Sequence, residues 1–454
     1  MESLALMPKY EAYKESGVDW LGEVPDCWDL VPIRGLLNFR NEKNDPIVTE
    51  DVLSLSIANG VTQYSDEGRG GNKRKDDLTA YKIARPNDIV MNSMNVIVGA
   101  VGVSKYFGAI SPVYYALYAK DDSVLISFYE RIFQNEGFQR GLLRLGKGIL
   151  IKFGDSGKMN TIRMKISQND LKVLMFPKPD SKTQLLISNF LDQKTAQIDE
   201  AIAIKELQIS LLKERKQIII QQAVTQGLAP NVPMKDSGVD WIGKIPEHWE
   251  VVPLKRLAVL SPSVKVSNRK SKELVTFLAM EKVSTDGYID QDTLMPICDV
   301  SQGFTVFNKG DVIVAKITPC FENGKSAWLN NLQTEFGYGS TEFHVLRCGQ
   351  RIIGSFLYLI VSSPLFLNAG EAMMTGSAGQ KRVPSSFIQN FPTAIPGVAE
   401  QEKIVSKVKE LFSQIDVVVA STVNQIEKLK EYKTTLINSA VTGKIKITPE
   451  MVEQ

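Results

Sequence analysis

The sequence predicts an α+β protein in which one module occurs twice, giving two mixed α/β globular blocks separated by two long helices. Three observations predict this architecture: a 22-residue segment recurs 221 positions later, a 28-residue helical segment recurs 217 positions later, and short strand patterns lie between them. Repeats of this kind indicate duplicated structural units. The 454 residues are enough for about three average domains.

The composition is that of an ordinary globular protein, with 43% hydrophobic and 23% charged residues. The formal net charge is only +2, so any basic surface for nucleic acid must be local. Four cysteines without a CxxC pair and two histidines exclude a clustered zinc site. The sequence shows no signal peptide and no apolar stretch long enough to span a bilayer. We therefore expect a cytoplasmic protein without a membrane partner.

The first repeat comprises residues 16–37 and 237–258, of which 11 of 22 positions are identical. Its tryptophans, prolines and glycines match in register. We interpret Trp20, Trp28, Trp241 and Trp249 as structural anchors beside helix ends, because they belong to the repeated framework and not to the variable blocks.

The second repeat comprises residues 198–225 and 415–442, with 13 of 28 positions identical. Both copies carry an apolar stripe at a spacing of 3.5 residues, which is typical of a coiled coil. Polar residues interrupt the stripe at matched layers, including Lys216 and Lys433, and such residues specify register. The predicted seam consists of Ile198, Ile202, Ile209, Leu212, Ile219, Ile415, Val419, Ile426, Leu429 and Leu436.

Mutual antiparallel pairing of the two helices fits their equal lengths and matched polar layers. The alternative is that each helix packs only on its own globular block. Gly227 and Gly443 follow the two apolar stripes and are predicted to end the helices.

Between the repeats, the blocks differ in sequence but show similar patterns. Alternating and short apolar runs predict strands at 53–57, 88–92, 109–118, 274–280, 311–317 and 341–346. Helical periodicity predicts helices at 128–145 and 352–367. Residues 87–90 correspond to 310–313, which indicates that the blocks share a fold while differing in surface.

The sequence contains no coherent catalytic motif. Residues 141–148 resemble a phosphate-binding loop, but Gly148 occupies the place of the Ser or Thr that binds magnesium. A nuclease-like pair at 179–180 and 214–216 has its Glu-x-Lys part on the predicted coiled-coil helix. We expect that the chain catalyses nothing by itself.

Loops rich in cations occur in both blocks, at 68–75, 268–272, 316–325 and 376–382, and all but the second contain glycine. Glycines allow close approach to a phosphate chain, whereas Gln, Asn, Lys and Arg contact base edges. Any one such loop could equally be ordinary solvated surface. The predicted DNA contacts are Arg69, Asn72, Lys73 and Arg74 in the first block, and Lys316, Gln380, Lys381 and Arg382 in the second.

The two SGVDW…P..W…VP segments, the variable block after each, and the AEQEKIV lead at 399–405 into a long helix resemble the specificity subunits of type I restriction-modification systems. The resemblance covers essentially the whole chain. It departs at residues 179–184, where PDSKTQ replaces the Pro-x-x-x-Glu-Gln pattern of 396–401.

The resemblance implies two target recognition domains that each read half of a bipartite double-stranded DNA target. It also implies partners: two methyltransferase subunits docked on the helices, and restriction/translocase subunits. The expected cofactors, S-adenosylmethionine, ATP and Mg²⁺, belong to those partners, with none in this chain.

The predicted organisation has six parts. They are an N-terminal conserved segment (1–29), target recognition domain 1 (30–176), a central conserved helix (177–230), a linker with the repeated segment (231–250), target recognition domain 2 (251–392) and a C-terminal conserved helix (393–454). Two other functions stay open at this point. One is a DNA-binding regulator that acts without methyltransferases, and the other is a hydrolase or nuclease within the variable blocks.

Overall fold

A computed structural model describes residues 4–57, 59–65, 76–94, 100–145, 152–153, 159–161, 165–264, 271–377 and 379–453. The chain divides into two compact units. Unit 1 comprises Met1–Ile204 and Asn424–Gln454, and unit 2 comprises Lys205–Val423. Each unit combines an α+β globular block with segments of two long helices, as the sequence predicts.

The block of unit 1 is built from short strands and helices. Its strands are β1 (Tyr13–Glu15), β2 (Glu23–Pro25), β3 (Asp29–Pro32), β4 (Leu37–Arg40), β5 (Leu53–Ser56), β6 (Gly60–Gln63), β7 (Lys82–Ala84), β8 (Ile89–Asn92), β9 (Val101–Val103), β10 (Gly108–Ile110), β11 (Tyr114–Ala119), β12 (Lys152–Phe153), β13 (Met159–Thr161) and β14 (Met175–Lys178). Its helices are α1 (Ile33–Leu36), α2 (Ile126–Phe133), α3 (Glu136–Leu142) and α4 (Gln168–Lys172), and the long helix α5 (Ser181–Thr225) begins here.

A four-stranded antiparallel sheet in the order β4-β11-β8-β9 forms the centre of this block. On β8 and β11, Val90 opposes Ala116 and Ile89 opposes Leu117, and all four residues are fully buried. Such continuous apolar runs are typical of strands that are covered on both faces. Strand β14 returns to pair with β3 directly before α5 begins, so the block closes onto the repeated segment.

The block of unit 2 has a similar composition. Its strands are β15 (Met234–Asp236), β16 (Lys244–Pro246), β17 (Glu250–Pro253), β18 (Ala258–Leu260), β19 (Leu274–Leu278), β20 (Leu294–Pro296), β21 (Thr305–Asn308), β22 (Val312–Ala315), β23 (Ser326–Trp328), β24 (Phe336–Gly339), β25 (Phe343–Cys348) and β26 (Pro392–Ile395). Its helices are α6 (Ile297–Val300), α7 (Gly354–Val361), α8 (Pro364–Ala372) and α9 (Ser385–Asn390), and the long helix α10 (Val398–Val441) begins here.

The central sheet of unit 2 has the order β18-β25-β22-β23 and is antiparallel throughout. A second sheet, β20-β19-β24-β21, contains one parallel pair, β19 with β24. Strand β26 pairs with β17 before α10 begins, as β14 pairs with β3 before α5. The two blocks therefore use the same strand pairing to lead into their long helices.

Two helices predicted as single elements are each divided in two, so their predicted extents are wrong. The stretch at 128–145 forms α2 and α3, because the Asn135 side chain accepts a hydrogen bond from the N–H of Phe138 and starts a new helix. The stretch at 352–367 forms α7 and α8. There Ser363 caps α8 through the N–H of Phe366, and Pro364 occupies the first helical turn.

The strand predicted at 109–118 is likewise divided, into β10 and β11. A turn separates them, in which the N–H of Tyr114 donates to the carbonyl of Ser111. Pro112 lies in this turn, and a proline there cannot donate to a sheet.

The two long helices end where the sequence predicts. After α5 and α10, Gly227 and Gly443 adopt left-handed backbone angles, with φ of +69° and +74°. This conformation turns the chain away from the helix axis and favours glycine, which has no Cβ. The prediction that these glycines end the helices is confirmed.

One tryptophan of each repeated segment packs against the glycine that follows a long helix. A Cβ on Gly443 would lie 3.1 Å from the ring of Trp28, and a Cβ on Gly227 would lie 3.2 Å from that of Trp249. Both rings are buried. The indole N–H of Trp249 also donates to the Oε1 of Glu400, at 3.1 Å, in the first turn of α10.

The anchoring role predicted for the tryptophans is thus confirmed for Trp28 and Trp249. Trp20 is half-buried, and Trp241 is 40% exposed. Within the described residues, no helix combines the length and the apolar character that crossing a membrane requires.

Candidate nucleic-acid interface

Beside each central sheet, a buried aspartate is held by an arginine. In unit 1, Nε and Nη2 of Arg40 donate to Asp88 at 2.6 and 2.9 Å. In unit 2, Nε and Nη2 of Arg347 donate to Asp311 at 2.8 and 2.7 Å. These hydrogen bonds raise the pKa of both arginines. The aspartates directly precede β8 and β22, which occupy the same place in the strand order of their sheets. The arginines lie on β4 and β25, which occupy different places in that order.

In each unit a later segment of the chain returns to the central sheet; it contains Val383 in unit 2 and Ile166 in unit 1. The same backbone hydrogen bonds hold this segment in both units. In unit 2, the N–H of Lys316 donates to the carbonyl of Glu342, at 2.9 Å, and the N–H of Val383 donates to the carbonyl of Lys316, at 2.8 Å. The His344 ring lies with Nε2 3.0 Å from the carbonyl oxygen of Val383. Because a carbonyl oxygen only accepts, Nε2 carries the proton, and burial lowers the pKa of His344.

In unit 1, the N–H of Ser93 donates to the carbonyl of Val113, at 3.2 Å, and the N–H of Ile166 donates to the carbonyl of Ser93, at 3.1 Å. The hydroxyl of Tyr115 donates to the carbonyl of Ile166, at 3.0 Å, as His344 does to Val383. We call these two sets of contacts the return anchors. Their main-chain pattern is shared, but the side chain that completes each anchor differs.

A tight loop in unit 2 directly precedes its return anchor. Thr375 and Arg382 exchange backbone hydrogen bonds of 3.1 and 2.8 Å, which close the loop at its base. The backbone of Lys381 both donates to the Thr318 hydroxyl, at 3.1 Å, and accepts from the Thr318 N–H, at 3.0 Å. Gly376 and Gly379, with φ of +130° and +80°, shape the tip. We call residues 375–377 and 379–382 the anchored loop.

The predicted contact residues of the second block lie on or beside this loop. Gln380 and Lys381 are exposed, and neither side chain bonds to another residue that the structure describes. The backbone of Lys316 belongs to the return anchor. Arg382 differs, because its Nε and Nη2 donate to both carboxylate oxygens of Glu342 at 2.8 to 3.2 Å. This bonding lowers the pKa of Glu342 and raises that of Arg382.

The predicted contacts of the first block, Arg69, Asn72, Lys73 and Arg74, lie outside the described residues. The same holds for most of the 268–272 run and for the end of the 141–148 motif.

Sequence reasoning missed the residues that hold the anchored loop, namely Thr318, Glu342 and His344. A signal was present for two of them: Glu342 lies in the turn directly before β25, and His344 lies two positions later, within the strand. No local pattern links them to Val383 or Arg382, some 40 residues later.

Ion pairs join the two long helices within each unit. In unit 1, Nζ of Lys433 contacts both carboxylate oxygens of Asp199 at 2.7 Å. In unit 2, Nζ of Lys216 contacts Asp416 at 2.5 Å and lies 4.8 Å from the ring centre of Phe412.

Of the predicted seam residues, six are buried (Ile198, Ile202, Ile219, Ile426, Leu429 and Leu436) and four are half-buried (Ile209, Leu212, Ile415 and Val419).

Each unit has a cleft between its block and its helices. The cleft of unit 1, of about 1080 Å³, is lined by Lys433, Thr434 and Ile437 of α10. The cleft of unit 2, of about 930 Å³, is lined on α5 by Lys216, Gln217 and Ile220, together with α10 residues. Lys433, Thr434 and Ile437 each lie 217 positions after Lys216, Gln217 and Ile220, which is the offset of the second repeat. Equivalent helix positions therefore line both clefts.

The outer face of α5 in unit 2 carries large apolar side chains in water. Leu207, Leu211 and Ile218 are 60, 55 and 52% exposed. At 100° per residue they fall within one narrow stripe, opposite the seam positions Leu212 and Lys216. We call these three residues the outer stripe.

Among the residues that are described, no three His, Cys, Asp or Glu side chains gather in a group suited to a metal ion.

The return anchor of unit 2 predicts a pH-dependent stability. The folded pKa of His344 lies below the ordinary 6.5, so as pH falls below about 6.5 the unfolded chain binds the proton first. The stability from the neutral ring is therefore complete above that pH and declines below it. We expect His344→Gln, which keeps an N–H donor but does not titrate, to reduce the fall in melting temperature between pH 7.5 and 5.5. Equal falls in both proteins would contradict this expectation.

The described part of the chain thus combines two related antiparallel sheets with an exposed polar loop in unit 2, an arrangement suited to binding the surface of a partner molecule. Residues 246–428 match the family described as "Type I restriction modification DNA specificity domain". This match covers β17 to β26 of unit 2 and most of α10.

Relatives by sequence and by structure agree with that match. The chain is 38% identical over 199 residues to the type I restriction enzyme EcoAI specificity subunit of Escherichia coli, covering 43% of this chain and 33% of that one. The matched region thus spans about a third of that relative's length.

Two solved structures share the fold. The HsdS subunit from Thermoanaerobacter tengcongensis has a TM-score of 0.52 at 14% identity, covering 93% of this chain and 98% of that one. A chain from a type I R-M system has a TM-score of 0.64 at 12% identity, covering 92% and 98%. The chain is thus similar in sequence to type I restriction-modification specificity subunits over part of its length, and it shares the fold of two solved chains over most of it.

Proposed function

We propose that the chain selects the DNA target of a type I restriction-modification complex, with each block reading one half of a bipartite double-stranded sequence. The observation that carries this proposal is the pair of return anchors. The same main-chain contacts recur in both blocks, yet Tyr115 completes one and His344 the other. Two scaffolds of one design with unlike side chains suit the reading of two unlike half-sites. In this proposal the blocks correspond to target recognition domains at 30–176 and 251–392.

The long helices, in this proposal, form an antiparallel coiled coil that sets the spacing of the two half-sites. Its support is the register of the ion pairs. The residue numbers of Lys433 and Asp199 add up to 632, and so do those of Lys216 and Asp416. A constant sum is the mark of antiparallel pairing, because one number rises as the other falls. The burial of the predicted seam residues agrees with the same register.

The helices also dock two methyltransferase subunits in this proposal. The outer stripe supports docking, because water-exposed leucines and isoleucine at helical spacing are typical of a face that another helix covers. The clefts support the docking of two methyltransferase subunits, because residues that are equivalent by the repeat line one cleft in each unit. Restriction/translocase subunits complete the complex.

Chemistry, in this proposal, belongs to the partner subunits. They hold S-adenosylmethionine, ATP and Mg²⁺, and this chain holds no cofactor and works in the cytoplasm. Its own residues bind phosphates through cations and discriminate bases through side-chain donors and acceptors.

Co-expression of the chain with a methyltransferase subunit of the same system tests the proposal. Genome-wide sequencing of modified adenines is expected to give one motif with two specified parts and an unread spacer between them. Omitting this chain is the control, and it should abolish the motif. A continuous motif, or equal modification without this chain, would overturn the proposal.

A further inference from the structure

We propose that the anchored loop is a base-reading element of the second block, in which Gln380 and Lys381 contact base edges whereas Arg382 and Glu342 position the loop. This inference rests on the proposed DNA-recognition function. It assigns different roles to residues that the sequence pattern grouped together as contacts.

The first argument is how the loop is held. Its flanking residues Met374 and Val383 are buried, but the described residues between them, 375–377 and 379–382, contribute no buried apolar side chain. Hydrogen bonds hold the loop instead, from Thr318 to Lys381 and between Thr375 and Arg382. Polar contacts to a projecting loop add little to stability, but they fix its geometry, as a recognition site requires.

The second argument is the closeness of the turn. A Cβ on Gly376 would lie 2.8 Å from the carbonyl oxygen of Gln380, so the two sides of the loop touch. The positive φ of Gly376 and Gly379 is a conformation that other residues rarely adopt. The tip is therefore narrow, and it presents Gln380 and Lys381 together to solvent.

The third argument concerns Arg382. Its guanidinium meets both oxygens of Glu342, so its strongest bidentate geometry is already used within the protein. A half-exposed ion pair of this kind adds little to stability. Its consequence is orientation, because it fixes the base of the loop to the start of β25. Glu342 carries negative charge, which would repel DNA phosphates, so the pair suits a positioning role better than a contact.

The chemistry of the tip indicates what it reads. A glutamine amide fits the N6 and N7 edge of adenine with two hydrogen bonds, and a lysine fits the O6 and N7 edge of guanine. Both edges lie in the major groove. We therefore infer that the half-site of the second block contains purines that this loop reads, with adenine the partner of Gln380.

The experiment uses the full chain co-expressed with its methyltransferase, followed by binding assays on duplexes that carry the mapped motif and each single-base change. Gln380→Ala and Lys381→Ala are each expected to reduce discrimination at one purine of one half-site by about 10- to 100-fold. The other half-site should keep its preference. The matched control is Gln350→Ala, an exposed glutamine in another turn of unit 2.

The positioning role has its own test. Arg382→Glu and Glu342→Arg are each expected to lower discrimination at the same half-site, and combining them should restore it, because the reversed pair reforms the contact. A direct DNA contact by Arg382 would not be rescued in this way. Melting temperatures of all variants separate loss of folding from loss of reading.

The outcomes are distinct. Unchanged discrimination in Gln380→Ala and Lys381→Ala, with the wild-type motif retained, overturns this inference and leaves the proposed function standing. Failure of the charge-reversed pair to restore reading overturns the positioning role. Absence of any sequence-specific modification or binding by the wild-type complex overturns the proposed function, and the inference with it.

Discussion

Replacing Leu207 and Leu211 together with aspartate is expected to abolish co-purification of the methyltransferase with this chain. Both side chains are more than half exposed in the isolated chain, so the substitution leaves its core intact. In the proposed complex they are covered by a partner, and two carboxylates would then be buried without counter-charges. Burying unpaired charges is costly enough to weaken the association by well over 100-fold.

The measurement is pull-down of tagged chain from cells that also express the methyltransferase, followed by titration of the purified subunits. Gln208→Asp is the matched control, because it adds the same charge on an exposed position one residue away and off the outer stripe. Circular dichroism at 222 nm checks that the helices persist. Full retention of the methyltransferase by the double variant would rule out the outer stripe as the docking face.

Replacing Gly443 with alanine is expected to destabilise the fold by about 2–5 kcal/mol. Left-handed backbone conformation costs a non-glycine residue about 1–2 kcal/mol. In addition, the new Cβ would meet Pro25 and the Trp28 ring, with Cδ of Pro25 at only 2.3 Å, and overpacking costs about 1–3 kcal/mol. The φ of +74° means that the strain and the clash act together.

Two other glycines provide graded controls for this substitution. At Gly227, with φ of +69°, a Cβ would come no nearer than 3.2 Å to the Trp249 ring, so alanine should cost less. At Gly22, with φ of +67°, nothing lies within 4 Å, so only the conformational cost of about 1–2 kcal/mol applies. Chemical denaturation of the three variants should rank them in this order. A different order would show that Pro25 and Trp28 move away from the added Cβ at little cost in free energy.

Much of the architecture could be predicted from sequence because its signals are local or repeated. The glycine stops after α5 and α10 combine a helical pattern with one permissive residue, and the structure confirms both. The breaks at Asn135 and Ser363 were missed because apolar periodicity continues across them. A capping hydrogen bond from one side chain marks each break, and Pro364 accompanies the second.

The candidate site was harder to predict, for a different physical reason. Composition drew attention to Gln380, Lys381 and Arg382, but it could not show that Arg382 is paired with Glu342, 40 positions earlier. Nor could it indicate that His344 donates to the carbonyl of Val383. Contacts between distant segments, several of them made by the main chain, leave no periodic trace in a sequence.

The return anchors also bear on how such a protein acquires new targets. Two of the three hydrogen bonds in each anchor join backbone atoms, and the third is made as well by a phenol as by an imidazole. Segments inserted ahead of the anchor can therefore change in length and side chains while the sheet beneath them keeps its bonding. If the proposed function holds, substitutions in these segments could change which DNA sequence is preferred without altering the hydrogen bonds that hold the sheet.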